Sequence, residues 1–282
     1  KDQSRDRGAA AMNDSFTDVQ RVPAGRFSGC LPRDDKVGQY ASIFEERVPI
    51  IPRAEWMDIY EQHEPKLSPL SVYQYDQNGE GTCTANAGSQ AHCYTFAKTF
   101  GTRYVLPLSP IPVYKQCARG PNTGSSVSCI MRTLREVGTI PIGTAENEEK
   151  LRVMGLDERH TAKAVGYYQR LPSGWRETAA HFRVEEYFDI RSIEGIFSAA
   201  LLGFPIVYGR SGHAIMGAEA VYRDGQWQLR YHNSWGSWGD GGYGYDSERY
   251  LTRSSAAYGA VAVRSVVHTA PMDRLIEEFM NE

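Results

Sequence analysis

Three residues of this chain carry the groups that nucleophilic acyl chemistry needs. Cys83 follows a glycine-containing loop (Gly79, Gly81) and opens a helix pattern. A helix N-terminus carries roughly half a positive charge, which favours the thiolate, the nucleophilic form of cysteine. A thiolate that attacks acyl carbonyls also needs a general base and a group that orients that base. His213 opens a strand pattern directly after Gly212, and Asn233 ends the next strand, across the Asp224-Gly225 turn. Antiparallel pairing of those strands would bring imidazole and carboxamide together. Each residue alone has a plainer reading: a buried thiol packs as a small hydrophobe, and buried His or Asn side chains mostly satisfy hydrogen bonds. It is the set of three that carries the chemistry.

The elements that must position them are legible in outline. Cys83, Ala85, Ala87, Ala91, Tyr94 and Phe96 define a helix running to about Lys98. Val127, Ile130, Met131, Leu134 and Val137 form a helical stripe, with Ser125 or Ser126 to cap its start and Gly138 its end. A third helix starts at Ser192, presents Ile193, Ile196, Phe197, Ala200 and Leu201, and stops at Gly203. Strands follow over 205–208, 213–222, 226–232 and 260–267, with Asp224-Gly225 as a hairpin turn. Met272, Leu275, Ile276, Phe279 and Met280 mark an amphipathic helix in the tail. The stretch to Pro52 reads as irregular, and 140–185 as charged surface loops with short helices. Helices in the first half and antiparallel strands in the second make an α+β class.

Around the three residues the sequence resembles the papain-like cysteine proteases. Gln77 stands six residues before the Cys, in Gln77-Asn-Gly-Glu-Gly-Thr-Cys83. Gly212-His213-Ala214-Ile215 is similar to the family's His strand. Asn233-Ser234-Trp235-Gly236, followed by Trp238-Gly239 and Gly242-Tyr243-Gly244, is similar to its Asn motif. His213 and Asn233 lie about 130 and about 150 residues beyond Cys83, the spacing of that family. The resemblance covers roughly 50–137 and 188–250. It implies a two-lobed fold: a helical lobe over about 46–185, a β-rich lobe over about 186–282, a cleft between them, and residues 1–45 as an N-terminal extension. It also implies roles: Cys83 as nucleophile, His213 as base and acid, Asn233 as orienter of the imidazole, and Gln77 with the Cys83 N–H as oxyanion hole. Trp235 would shield the His213–Asn233 bond and wall the substrate site. Gly124 and Ser125 are candidates for the edge along which an extended peptide pairs. The implied partner is a peptide or protein substrate, hydrolysed through an acyl-thioester with no metal or cofactor.

The sequence also departs from the family. Thr84 stands where an aromatic usually follows the nucleophile, in a run closer to bacterial and viral relatives than to papain itself. The link from Tyr208 to His213 is short, as is the Asn-motif loop between Trp235 and Trp238. These changes motivate a competing reading, a papain-fold structural or binding component of a larger assembly. The N-terminal extension lacks the long charged helices of the family's usual inhibitory prodomain. His232 should face away from Asn233 and is read as structural, and His92 lies too far along the Cys83 helix to act. Asp240-Gly241-Gly242-Tyr243-Gly244 is read as a turn rather than a phosphate loop.

Composition bounds the rest. The 282 residues are 41% hydrophobic and 23% charged, as expected of a globular chain and unlike a disordered or coiled-coil one. The longest apolar run, near Ile196–Val207, is broken by Gly203 and Pro205, so no membrane span is expected. A net charge of −3 gives no bulk attraction for nucleic acid. Five cysteines cannot all pair; Cys117 and Cys129 are the expected bridge, whereas Cys83 and Cys93, on one helix, are too far apart. The polar start shows no signal peptide; Met12 reads as a native start, with Lys1–Ala11 as an engineered remnant. The compartment stays open.

Overall fold

A computed structural model describes residues 29–33, 41–62, 67–71 and 73–280. The readings placed on Lys1–Ala11 and Met12 lie outside the described residues. A seven-stranded sheet forms the centre, built from β1 (Ser42–Ile43), β2 (Val184–Ile190), β3 (Ile206–Arg210), β4 (His213–Arg223), β5 (Gln226–His232), β6 (Tyr243–Ser247) and β7 (Ala260–Val266). Their order is β1-β2-β7-β3-β4-β5-β6, and every neighbouring pair is antiparallel except β1–β2. Strand alternation sends side chains to two cores. Val207, Ala214, Met216, Val261 and Val263 face one; Ile206, Tyr208, Ile215, Ala260 and Ala262 face the other.

The helix Cys83–Phe100 lies in the first core and is buried from Cys83 through Ala97. Its small residues let neighbours approach on all sides. A Cβ on Gly88 would stand 2.8 Å from Leu134 Cδ1 and 2.9 Å from Ile130 Cγ2, so glycine sets its distance from the helix Val127–Glu136. That second helix is capped by Ser126, whose hydroxyl accepts from the Cys129 N–H at 3.2 Å. The disulfide Cys117–Cys129 ties it to the helix Ile111–Cys117. On the opposite face, the helix Ile193–Leu201 packs with Trp56 and Trp227; Trp56 stacks on Phe197 at 4.9 Å. The tail helix Ala270–Met280 buries Met272 and Leu275 in a third cluster with Phe96, Leu151 and Met154.

The architecture is α+β, as the sequence implies. It adds elements that the pattern did not show: β1 and the helix Phe44–Arg47 inside the stretch read as irregular, then β2, β6 and the helices Ile111–Cys117 and Glu248–Tyr258. No described helix is long and apolar enough to cross a membrane.

Candidate active site

β3 and β4 are joined by a tight turn in which Arg210 pairs with His213 and Gly212 takes φ +71°. This short link delivers His213 as the first residue of β4. Asn233 follows the last residue of β5, and the β4–β5 pairing sets it beside that start. His213 Nε2 lies 2.8 Å from Asn233 Oδ1, which also accepts the Ser234 N–H at 2.8 Å. A carboxamide oxygen is an acceptor, so Nε2 carries the proton and Nδ1 is the basic nitrogen of the neutral ring. Asn233 is held through its backbone as well: its N–H donates to Gly242 O at 2.8 Å, and its carbonyl accepts from Gln90 at 3.3 Å and Gln74 at 3.4 Å. Trp235 stacks on the imidazole, 4.4 Å between centroids and 23° between planes, and Trp238 meets Trp235 edge-on at 5.6 Å.

Cys83 sits in the first turn of its helix, where Gly81 fixes the incoming loop by donating to Pro121 O at 2.8 Å. Its sulfur faces the backbone N–H groups of Ala214, Thr84, Cys83 and Gly29, so the residue after His213 touches the thiol. These donors favour a thiolate, but the side chain is fully buried, and desolvation prevails: the thiol is pushed from 9.0 up to about 12. The expectation of a thiolate favoured by the helix N-terminus is thereby corrected. Gln77 is also buried. Its Nε2 donates to Glu80 O at 2.5 Å, its Oε1 accepts from the Ser234 hydroxyl at 2.7 Å, and its N–H donates to Ser234 O at 2.9 Å. Ser234 therefore joins the Gln77 loop to the His213–Asn233 pair. Sequence reasoning named Ser234 only as part of a motif and passed over Gln74 and Gln90.

What covers Cys83 is the chain itself. Residues 29–33 run extended between the helical and β sides. Gly29 donates to Gly212 O at 2.9 Å and accepts from the Ser125 N–H at 2.9 Å; Leu31 donates to Ser125 O at 3.0 Å. Cys30 thus pairs with Ser125 in parallel, and its sulfur lies over Gly209, where a Cβ would come within 2.9 Å of it. A Cβ on Gly29 would stand 2.3 Å from Gly81 O and 2.7 Å from Cys83 Sγ, so nothing larger than glycine fits over the thiol. Gly124 adopts φ +71° in close approach to the Gly29 carbonyl. In this structure Ser125, beside Gly124, pairs with residues 29–31 of the chain itself. Trp235, expected to shield the His213–Asn233 bond, lies on the His213 ring.

The remaining candidates are structural. His232 lies between Tyr94 Oη at 3.0 Å and Gln74 Oε1 at 2.8 Å, and burial lowers it to about 4. His92 is buried against the Arg183 carbonyl, and burial lowers it to about 3. Cys30, Cys83 and Cys93 are free and buried.

This architecture is the papain-like cysteine protease fold. Similar solved structures include xylellain, a cysteine protease from Xylella fastidiosa (TM-score 0.60, 18% identity, 86% of this chain and 97% of that one). Others are procathepsin L2 from the Tenebrio molitor larval midgut (0.60, 15%, 88% and 81%) and procathepsin B from Trypanosoma congolense (0.55, 14%, 87% and 88%). No family model matches the sequence, and no curated protein does. At these identities the likeness establishes the fold.

Proposed function

We propose that this chain is a cysteine endopeptidase whose resting form is closed by its own residues 29–33. In the open form His213 Nδ1 takes the Cys83 proton, and the thiolate sulfur adds to a peptide carbonyl carbon. The resulting oxyanion is stabilised by the Gln77 amide and the Cys83 N–H. The C–N bond breaks as His213 returns the proton to the leaving amine. Water, deprotonated by His213, then cleaves the thioester and restores the thiol. Asn233 keeps Nε2 protonated throughout, and Trp235 screens that bond from water.

The observation that carries this reading is one junction: the His213–Asn233 hydrogen bond under Trp235, with the Ala214 N–H against the Cys83 sulfur. The relatives of like fold described as cysteine proteases add to it. A second reading draws on the filled cleft and the raised thiol: a papain-fold component of a larger assembly, with weak or no peptidase activity. Gly29→Val separates the two, because its side chain has no room over Cys83. The opened chain should cleave members of a peptide library, and the Gly29→Val, Cys83→Ala double variant should cleave none. An opened chain whose Cys83 alkylates rapidly but yields no Cys83-dependent product would favour the binding component.

A further inference from the structure

The backbone bonds of residues 29–31 are ones that any extended peptide could make, so they cannot alone keep a peptide substrate out. The contacts peculiar to this segment lie in its side chains. Leu31 is exposed, Gly29 offers only its smallness, and Cys30, buried over Gly209, adds apolar packing without charge. Arg33 is different. Its N–H donates to Ala257 O at 2.9 Å, and its Nη2 reaches Asp189 Oδ2 at 2.5 Å. Asp189, on β2, is 1% exposed. Its other cationic contact is Arg191 Nε at 3.2 Å, on the same oxygen, from a side chain 49% exposed. Oδ1 has no hydrogen-bond partner among the described residues. A buried carboxylate left with only the longer bond to a half-exposed arginine is costly, so the folded domain gains when Arg33 is seated.

Building on the peptidase reading, we propose that the Arg33–Asp189 ion pair is the latch that keeps residues 29–33 over Cys83, and that breaking this pair opens the cleft. The pair lies at the far end of the segment from Cys83 and needs no part of the catalytic machinery.

The test reads uncovering of the thiol, which is independent of turnover. The full chain and its Arg33→Gln, Asp189→Asn and Arg191→Gln variants are treated with iodoacetamide, and alkylation at Cys83 is followed by mass mapping. Arg33→Gln and Asp189→Asn should each raise the Cys83 rate about tenfold or more, the effect of removing one partner of a buried charge pair. Combining them should add little, because both remove one interaction. Arg191→Gln, which touches the same carboxylate without touching the segment, should change the rate far less. A wild-type rate in Arg33→Gln, whose fold is checked by circular dichroism beside the wild type, overturns the latch; so does an equal rise in Arg191→Gln. Rapid alkylation of Arg33→Gln without peptide cleavage would sink the peptidase reading and leave the latch standing.

Discussion

Burial and the helix N-terminus pull the Cys83 thiol in opposite directions, and their sizes decide its state. The helix end contributes about 0.3–1 kcal/mol, less than one pKa unit. Desolvation under Gly29 carries the thiol from 9.0 to about 12. At pH 8 the covered thiolate is then on the order of one part in ten thousand. The alkylation rate of the wild-type chain should rise about tenfold per pH unit to the highest pH the fold tolerates. In Gly29→Val, with desolvation relieved and the N–H groups retained, the profile should level off below pH 9, the ordinary thiol value being 9.0. An unchanged profile would mean that something other than Gly29 buries the sulfur. Cys83, His213 and Asn233 stand out in the sequence by residue type, and Gln77 by the family resemblance. The state of the thiol does not, because the residue that covers it lies far upstream in sequence, and its contact is tertiary.

Elements were legible where one period ran unbroken and hidden where packing overrode it. The stripe Val127, Ile130, Met131 and Leu134 and the caps Ser126 and Ser192 signal their helices locally. β2 escaped because its pairing with β7 shifts register around Glu186, which breaks the alternation a strand needs to show. β6 is short and contains Gly244, packed under the Tyr231 ring, and reads as a turn. The helix Ile111–Cys117 carried a usable signal, Pro112 in its first turn. Gly88 makes the same point in energetic terms. Alanine is a better helix former by about 1 kcal/mol, yet its Cβ would meet Leu134 and Ile130 at contacts real side chains do not adopt. Overpacking should win, so Gly88→Ala should destabilise by about 1–3 kcal/mol in urea unfolding. A gain in stability would show that the two helices can separate freely.

At the scale of the molecule, acid should loosen the join between the Cys83–Phe100 helix and the sheet. His92 lies on that helix, and His232, on β5, meets it through Tyr94. Both are buried and neutral, lowered from 6.5 to about 3 and about 4 by desolvation. The unfolded chain takes up protons at these histidines below about pH 6.5, whereas the folded chain does not until its lower values are reached. More protons bound in the unfolded state means that stability falls as pH falls. Each histidine contributes a loss of about 1.4 kcal/mol per pH unit across its own window. For His92 the window runs from 6.5 to about 3, and for His232 from 6.5 to about 4. His92→Gln keeps a donor for the Arg183 carbonyl and removes the titration, so the denaturant midpoint of this variant should fall less steeply between pH 6.5 and 4 than that of the wild type. Equal slopes would place the acid sensitivity elsewhere. The same pH range bears on the closed cleft: Gly212, in the turn just before β4, accepts the Gly29 N–H, so a sheet that loosens against the central helix also loosens one seat of residues 29–33.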